Sequence, residues 1–223
     1  MKLKVFIALF FSIVFLYPQA AFCQSSGPAT LTLDEIVDRV EARYAAPGFS
    51  AMFLQTSTLK AMEITDRASG RIFVKRPGMM RWEYEKPDLQ TIVTDGRRLW
   101  IYRPEDNQVI IGKAPAFFGD GKGAGFLADI QQIRRQFYIT LENKIIDGNY
   151  RLKLFPTTKA FDLSVVHLSI STKLFDVVRI VTYNSYGDKT RIDLSNIRLE
   201  QTLDDNLFTL PIPAEVEVLY LDE

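Results

Sequence analysis

Cysteine and histidine are almost absent: Cys23 and His167 are single occurrences among 223 residues. A disulfide needs two thiols, and a zinc or thiol-imidazole site needs several such ligands, so disulfide frameworks, most metal centres and Cys-His catalysis are disfavoured at the outset. Charge of one sign is missing as well. Lys plus Arg and Asp plus Glu number 27 each, which removes the bulk field that nucleic acid or an anionic membrane would attract. No Gly-x-Ser-x-Gly elbow occurs, and the glycine-rich stretch Gly119 to Gly125 lacks the Lys-Ser or Lys-Thr pair of a phosphate loop. What the chain has instead is apolar and aromatic surface: 47% hydrophobic residues, with 16 Phe, 9 Tyr and 2 Trp. Val, Ile, Thr, Phe and Tyr are spread throughout, the mix of half-buried pleated surfaces, and predict a sheet-rich binding domain.

The longest apolar run is Val5 to Tyr17, 13 residues preceded by Lys2 and Lys4 and followed by Pro18-Gln19-Ala20-Ala21. A bilayer-spanning helix needs about 20 residues, so the segment reads as a secretory signal peptide over residues 1–23. Cleavage after Ala21-Phe22-Cys23 leaves a cysteine-free mature chain from about Gln24, a single soluble domain over 24–223. A lipidated Cys23 is the competing reading, and it would want a small residue where Phe22 stands. Loss of Lys2 and Lys4 leaves 25 basic against 27 acidic side chains. An extracytoplasmic, oxidising compartment is expected.

Thr32-Leu33-Asp34-Glu35 matches a capping box, and Leu33, Ile36, Val37, Val40 and Tyr44 recur at helical spacing, which predicts a helix to about Ala46. Pro47-Gly48 ends it. From Phe49 the period becomes 2, with Phe49, Ala51 and Phe53 on one side, and a strand is predicted there. Further strands are predicted over Arg71 to Lys75, Met79 to Lys86, Leu89 to Val93, Arg98 to Tyr102 and Gln108 to Ile111, joined by turns such as Pro77-Gly78 and Asp95-Gly96. Phe126, Ile130, Ile133 and Phe137 predict a second helix. Strands then resume over Ile139 to Ile146, Tyr150 to Phe155, Leu163 to Ile170, Val177 to Tyr183, Lys189 to Gln201 and Val216 to Leu221. The expected total is about ten or eleven strands in one domain, without repeat or linker.

Few residues invite chemistry. His167 sits in an alternating strand with no second His or Cys to complete a dyad or metal set, and the pairs Glu83 with Glu85 and Asp204 with Asp205 fall on wet faces or turns. No catalytic residue, metal or cofactor is assigned. Arg76, at a strand end before Pro77, has five donors that can reach another element. Met80, Trp82 and Tyr84 alternate against Arg81, Glu83 and Glu85, giving one apolar and one wet face. About two helices cannot cover one side of so wide a sheet, so part of that side must close on itself or hold a ligand.

The run Gly70-Arg71-Ile72-Phe73-Val74-Lys75-Arg76-Pro77-Gly78-Met79-Met80-Arg81-Trp82-Glu83-Tyr84, with Pro87, Asp95-Gly96, Leu99-Trp100 and Tyr102 to Pro104, resembles the periplasmic outer-membrane lipoprotein carriers of the LolA family. The resemblance extends from Phe49-x-x-x-Phe53-x-Gln55 to Phe208-x-x-Pro211. It implies a mainly β (α+β) fold: an incomplete, strongly curved antiparallel β-barrel with a lid of helices over its hydrophobic concave side, accepting the acyl chains of lipoproteins. By the same resemblance Arg76 is the lid latch, and Met80 and Trp82 are cavity-side positions. Phe53, Phe73, Tyr84 and Trp100 are expected to complete the acyl-chain cavity. Met79-Met80 stands where bulkier aromatics are common, and the loop before the second helix is glycine-rich; both favour adaptable packing. The implied partners are acylated lipoproteins, an inner-membrane ATP-driven release complex and an outer-membrane acceptor lipoprotein, with no nucleic acid, the carrier itself being a monomer. The alternative is a lipid- or lipoprotein-sensing regulator of the same fold, similar to the anti-sigma-factor-binding protein RseB, a family expected to be longer by a C-terminal domain.

Overall fold

The computed structural model describes residues 31–114, 130, 132–158, 163–200 and 202–221. The expected signal peptide with its cleavage site, the loop Gly119 to Gly125 and Phe126 lie outside the described residues. Helix α1 (Leu33–Arg43) begins with the predicted capping box: the Glu35 backbone N–H donates to Thr32 Oγ1 at 3.3 Å, and the Thr32 N–H donates to Glu35 Oε2 at 2.8 Å. These bonds hold the Glu35 carboxyl below its ordinary range, through the Thr32 backbone first. Tyr44 caps the helix, earlier than Ala46.

Strands β1 (Gly48–Leu59), β2 (Ile64–Lys75), β3 (Met79–Lys86), β4 (Gln90–Asp95), β5 (Arg98–Arg103) and β6 (Gln108–Lys113) follow as a meander. After helix α2 (Gln132–Gln136) come β7 (Phe137–Leu141), β8 (Asn149–Pro156), β9 (Val165–Ser171), β10 (Val177–Tyr183), β11 (Lys189–Glu200) and β12 (Glu217–Tyr220). All twelve strands form one open, curved sheet in the order β12-β6-β5-β4-β3-β2-β1-β11-β10-β9-β8-β7. The long β1 sits at its centre because β2 and β11 both pair with its length.

The mainly β class expected from the sequence holds, with differences in detail. The strands number twelve, and the last pair is parallel, β12 running alongside β6. A parallel neighbour requires a crossover. Here residues 202–216 supply it, leading from β11 on one side of β1 to β12, which forms the far edge outside β6. Strand β2 starts at Ile64, well before Arg71, because in-register pairing with Ser57 to Leu59 draws in a polar stretch whose sequence does not alternate. The described part of the second helix is the five-residue α2. Phe137, expected to close that helix, instead opens β7 by pairing with Pro156, while the strand expected to reach Ile146 stops at Leu141.

Register sorts the side chains onto two faces. On the inner face, Phe49, Ala51 and Phe53 of β1 stand beside Val74, Ile72 and Gly70 of β2, then Met80, Trp82 and Tyr84 of β3, then Thr94, Ile92 and Gln90 of β4. In the other direction Leu194 and Ile192 of β11, Ile180 of β10, Leu168 and Val166 of β9, and Leu152 and Leu154 of β8 continue it. Nearly all of these are buried. At about 25 cal/mol per Å² of apolar area, this face is a main source of stability.

Candidate functional site

The inner face is most aromatic where β1, β2 and β3 run side by side. Phe53, Gly70 and Tyr84 occupy one rung across the three strands. Gly70 leaves that rung open at its middle. The Phe53 and Tyr84 rings meet edge to face over it with centroids 5.0 Å apart, and Trp82 joins Phe53 at 4.9 Å. The glycine is required for a second reason: a Cβ on it would lie 1.8 Å from the Glu83 carbonyl oxygen, so β2 and β3 approach here in a way no side chain permits. The pairing also slips one residue between Ser69 and Gly70, a bulge that bends the sheet at this rung.

Tyr84 keeps its hydroxyl in use. It donates to Gln55 Oε1 at 3.1 Å, and Gln55 Nε2 donates to Ser57 Oγ at 3.1 Å, a short polar chain beside the apolar cluster. Burial pushes the Tyr84 hydroxyl up to about 12, so it remains a donor at any physiological pH. Gln55 and Gly70 lie within the motif segments, yet nothing in the sequence assigns them these tasks. Only the cross-strand register reveals them.

Four of the expected cavity residues therefore share the inner face: Phe53, Met80, Trp82 and Tyr84. Phe73 and Trp100 do not. Phe73 pairs with Ser50 and Arg81, and Trp100 with Val93 and Ile111, all on the opposite, outer face. The expectation that these two line the same surface is corrected by that register. Trp100 belongs to a separate core with Val93 and Val109, against which Tyr102, Ile111, Leu210 and Val216 pack. The crossover segment is fastened there by Arg81 Nη1 donating to the Leu207 carbonyl at 3.1 Å and by Lys75 Nζ donating to the Leu203 carbonyl at 2.6 Å.

Arg76 stands where β2 ends. Its backbone N–H donates to the Pro47 carbonyl at 2.8 Å and its Nη1 to the Ala46 carbonyl at 3.1 Å, so these bonds fasten the exit of α1 to the end of β2. Two further contacts hold the same helix end. Tyr44 meets Phe49 edge to face at 5.3 Å while its hydroxyl accepts from the Val177 N–H at 3.1 Å, and Arg43 Nε donates to the buried Asp176 at 2.8 Å. His167 is on the outer face, between Lys153 and Val181 and beside the Tyr183 ring at 5.6 Å. Among the described residues no set of three His, Cys, Asp or Glu converges as a metal would need, and no helix is long and apolar enough to cross a membrane.

The described inner face is thus apolar, with one aromatic rung and a fastened helix at its margin. The LolA family model, described as outer membrane lipoprotein carrier protein, matches residues 45–211. A protein named outer-membrane lipoprotein carrier protein from Nitrosospira multiformis is 32% identical over 170 residues, covering 76% of this chain and 80% of that protein. This chain belongs to the LolA family. A second relative of the same name, from Chromobacterium violaceum, is 33% identical over 170 residues, with 76% and 80% covered. Among solved structures, an uncharacterized conserved protein from Thermus thermophilus matches with a TM-score of 0.55 at 16% identity, over 84% of this chain and 98% of that one. MucB matches with a TM-score of 0.50 at 14% identity, over 86% of this chain and 67% of its own. At such identities the two structures speak for a shared fold alone.

Proposed function

We propose that this LolA-family chain is a periplasmic carrier that receives lipoproteins released from the inner membrane, shelters their acyl chains on its inner face and delivers them to the outer membrane. The observation that carries the reading is the continuous apolar inner face centred on Phe53, Met80, Trp82 and Tyr84, in a chain whose relatives at 32% and 33% identity bear the carrier name. The need for such a protein follows from magnitudes. At about 0.8 kcal/mol per buried CH₂, three acyl chains of about 15 methylenes expose on the order of 36 kcal/mol of hydrophobic free energy to water. Unaided diffusion between membranes is closed to such a molecule.

A carrier must also let go. Its face replaces water without forming directional bonds along the chain, and a cover held by a few hydrogen bonds, Arg76 among them as latch, offsets part of the binding. In this reading the chain is not an enzyme: an ATP-driven release complex in the inner membrane supplies the work, an outer-membrane acceptor lipoprotein takes the cargo, and the carrier acts as a monomer exported by the signal peptide over residues 1–23. The sensing alternative has the MucB likeness behind it, which speaks for fold only. Purified chain from Gln24 is to be incubated with spheroplasts displaying a radiolabelled lipoprotein. Appearance of the lipoprotein in the soluble fraction, bound to the protein, is the expected result; lipoprotein that stays with the membrane overturns the carrier reading.

A further inference from the structure

The aromatic rung contains a polar atom with no partner. Trp82 is 4% exposed, packed edge to face with Phe53 and stacked with Tyr84 at 6.4 Å, and no described residue accepts a hydrogen bond from its Nε1. Buried indole N–H groups are ordinarily paired, because stripping water from a donor without replacing it costs free energy. The contrast with the neighbour is direct: the Tyr84 hydroxyl has Gln55. A phenylalanine at 82 would supply a ring on the same strand face without the orphaned donor.

We propose that Trp82 Nε1 is a recognition point for the carbonyl oxygen of an ester- or amide-linked acyl chain, so that the inner face reads the head of each chain as well as burying its methylenes. The inference rests on the acyl-carrying reading given above. The acceptor it calls for is neutral. The side chains that meet Trp82 among the described residues, Phe53 and Tyr84, carry no charge, so a carboxylate would lose its hydration beside them uncompensated. An ester or amide carbonyl gives up far less water and carries its own hydrocarbon onto the same face. Because one donor selects one acceptor, it also sets how far a chain slides along the strands.

The test compares two probes of equal length, 1-palmitoylglycerol and 1-O-hexadecylglycerol, which differ by a carbonyl against a methylene and are each presented in the same detergent micelles. The wild-type protein is expected to bind the ester about fivefold to tenfold more tightly, the ratio of one net hydrogen bond. In ¹⁵N-indole spectra the Trp82 N–H resonance should move downfield with the ester and not with the ether. Trp100, the other tryptophan and on the outer face, is the internal reference. Trp82→Phe should level the two affinities. Equal binding of both probes by the wild type with an unmoved Trp82 resonance overturns the proposal and leaves the carrier reading standing, as does an ester preference that survives in Trp82→Phe. Failure to bind either probe overturns both together.

Discussion

Trp82 and Trp100 are the chain's two tryptophans, both buried, on strands separated by a single neighbour, and they face opposite ways. Around Trp100 the protein supplies its own cover: the crossover after β11 lays Leu210 and Val216 on Val93, Trp100 and Val109, and Arg81 and Lys75 tie it down through backbone carbonyls. Around Trp82 the ring partners among the described residues are Phe53 and Tyr84 of the same sheet, and its Nε1 finds no acceptor among them. The outer face is thus a core in the ordinary sense, closed by sequence from the far end of the chain. The inner face keeps an unmatched donor for another molecule to meet. Burial is much the same at the two sites; what separates them is whether the polar atoms beside the ring are matched.

That division can be broken experimentally. Trp100→Ala should cost about 3–5 kcal/mol in urea unfolding, the usual range for emptying a buried aromatic site, while the folded fraction binds 1-palmitoylglycerol as before. A parallel loss of binding would merge the two faces into one. Gly70→Ala forces a Cβ against the Glu83 carbonyl and parts the Phe53 and Tyr84 rings, with an expected loss of about 3 kcal/mol in the same assay and weaker acyl binding. Wild-type stability in that variant would deny the close approach of β2 and β3.

Arg76→Leu removes the bond to the Ala46 carbonyl, worth about 1 kcal/mol, and should speed amide exchange in residues 44–48 and slow delivery of cargo to an acceptor membrane. Unchanged exchange and transfer would deny it the part of latch. The smallest effect belongs to the outer face. Burial first, then Lys153, lowers the proton affinity of His167 in the folded state below its ordinary value of 6.5. Its neutral form is the one that folds well, so its contribution is full above pH 6.5 and is lost as pH falls through the lowered folded value. His167→Gln should therefore narrow the drop in Tm between about pH 7.5 and about pH 5.5, and an equal drop in both proteins would remove His167 from the pH response.

The elements legible in advance are those whose signal is local. Thr32 to Glu35 form a capping box because four consecutive residues suffice to make it, and the alternation of Met80, Trp82 and Tyr84 survives into the structure because the other side of β3 carries Arg81 and Glu83. Phe73 and Trp100 could not be placed by the same means. Ile72-Phe73-Val74 and Leu99-Trp100-Ile101-Tyr102 are unbroken apolar runs, and such runs occur where both faces of a strand are covered, so a period of two cannot tell one face from the other. For Trp100 the second cover comes from Leu210 and Val216, more than a hundred residues downstream, and no window on the sequence connects them. The open rung at Gly70 was hidden for a related reason: it exists only once three strands are in register.

The two described helices are joined by charge. Arg134 of α2 spreads its guanidinium over Asp34, Asp38 and Glu41, which line one side of α1, and all four groups remain in contact with solvent. A clasp of this kind is weakened by dissolved ions rather than by oil, since salt screens exposed pairs while leaving apolar contacts intact. Added salt therefore loosens the tie between the two helices while leaving the apolar burial of Ile36, Val37 and Val40 on α1 and of Ile133 on α2 as it is.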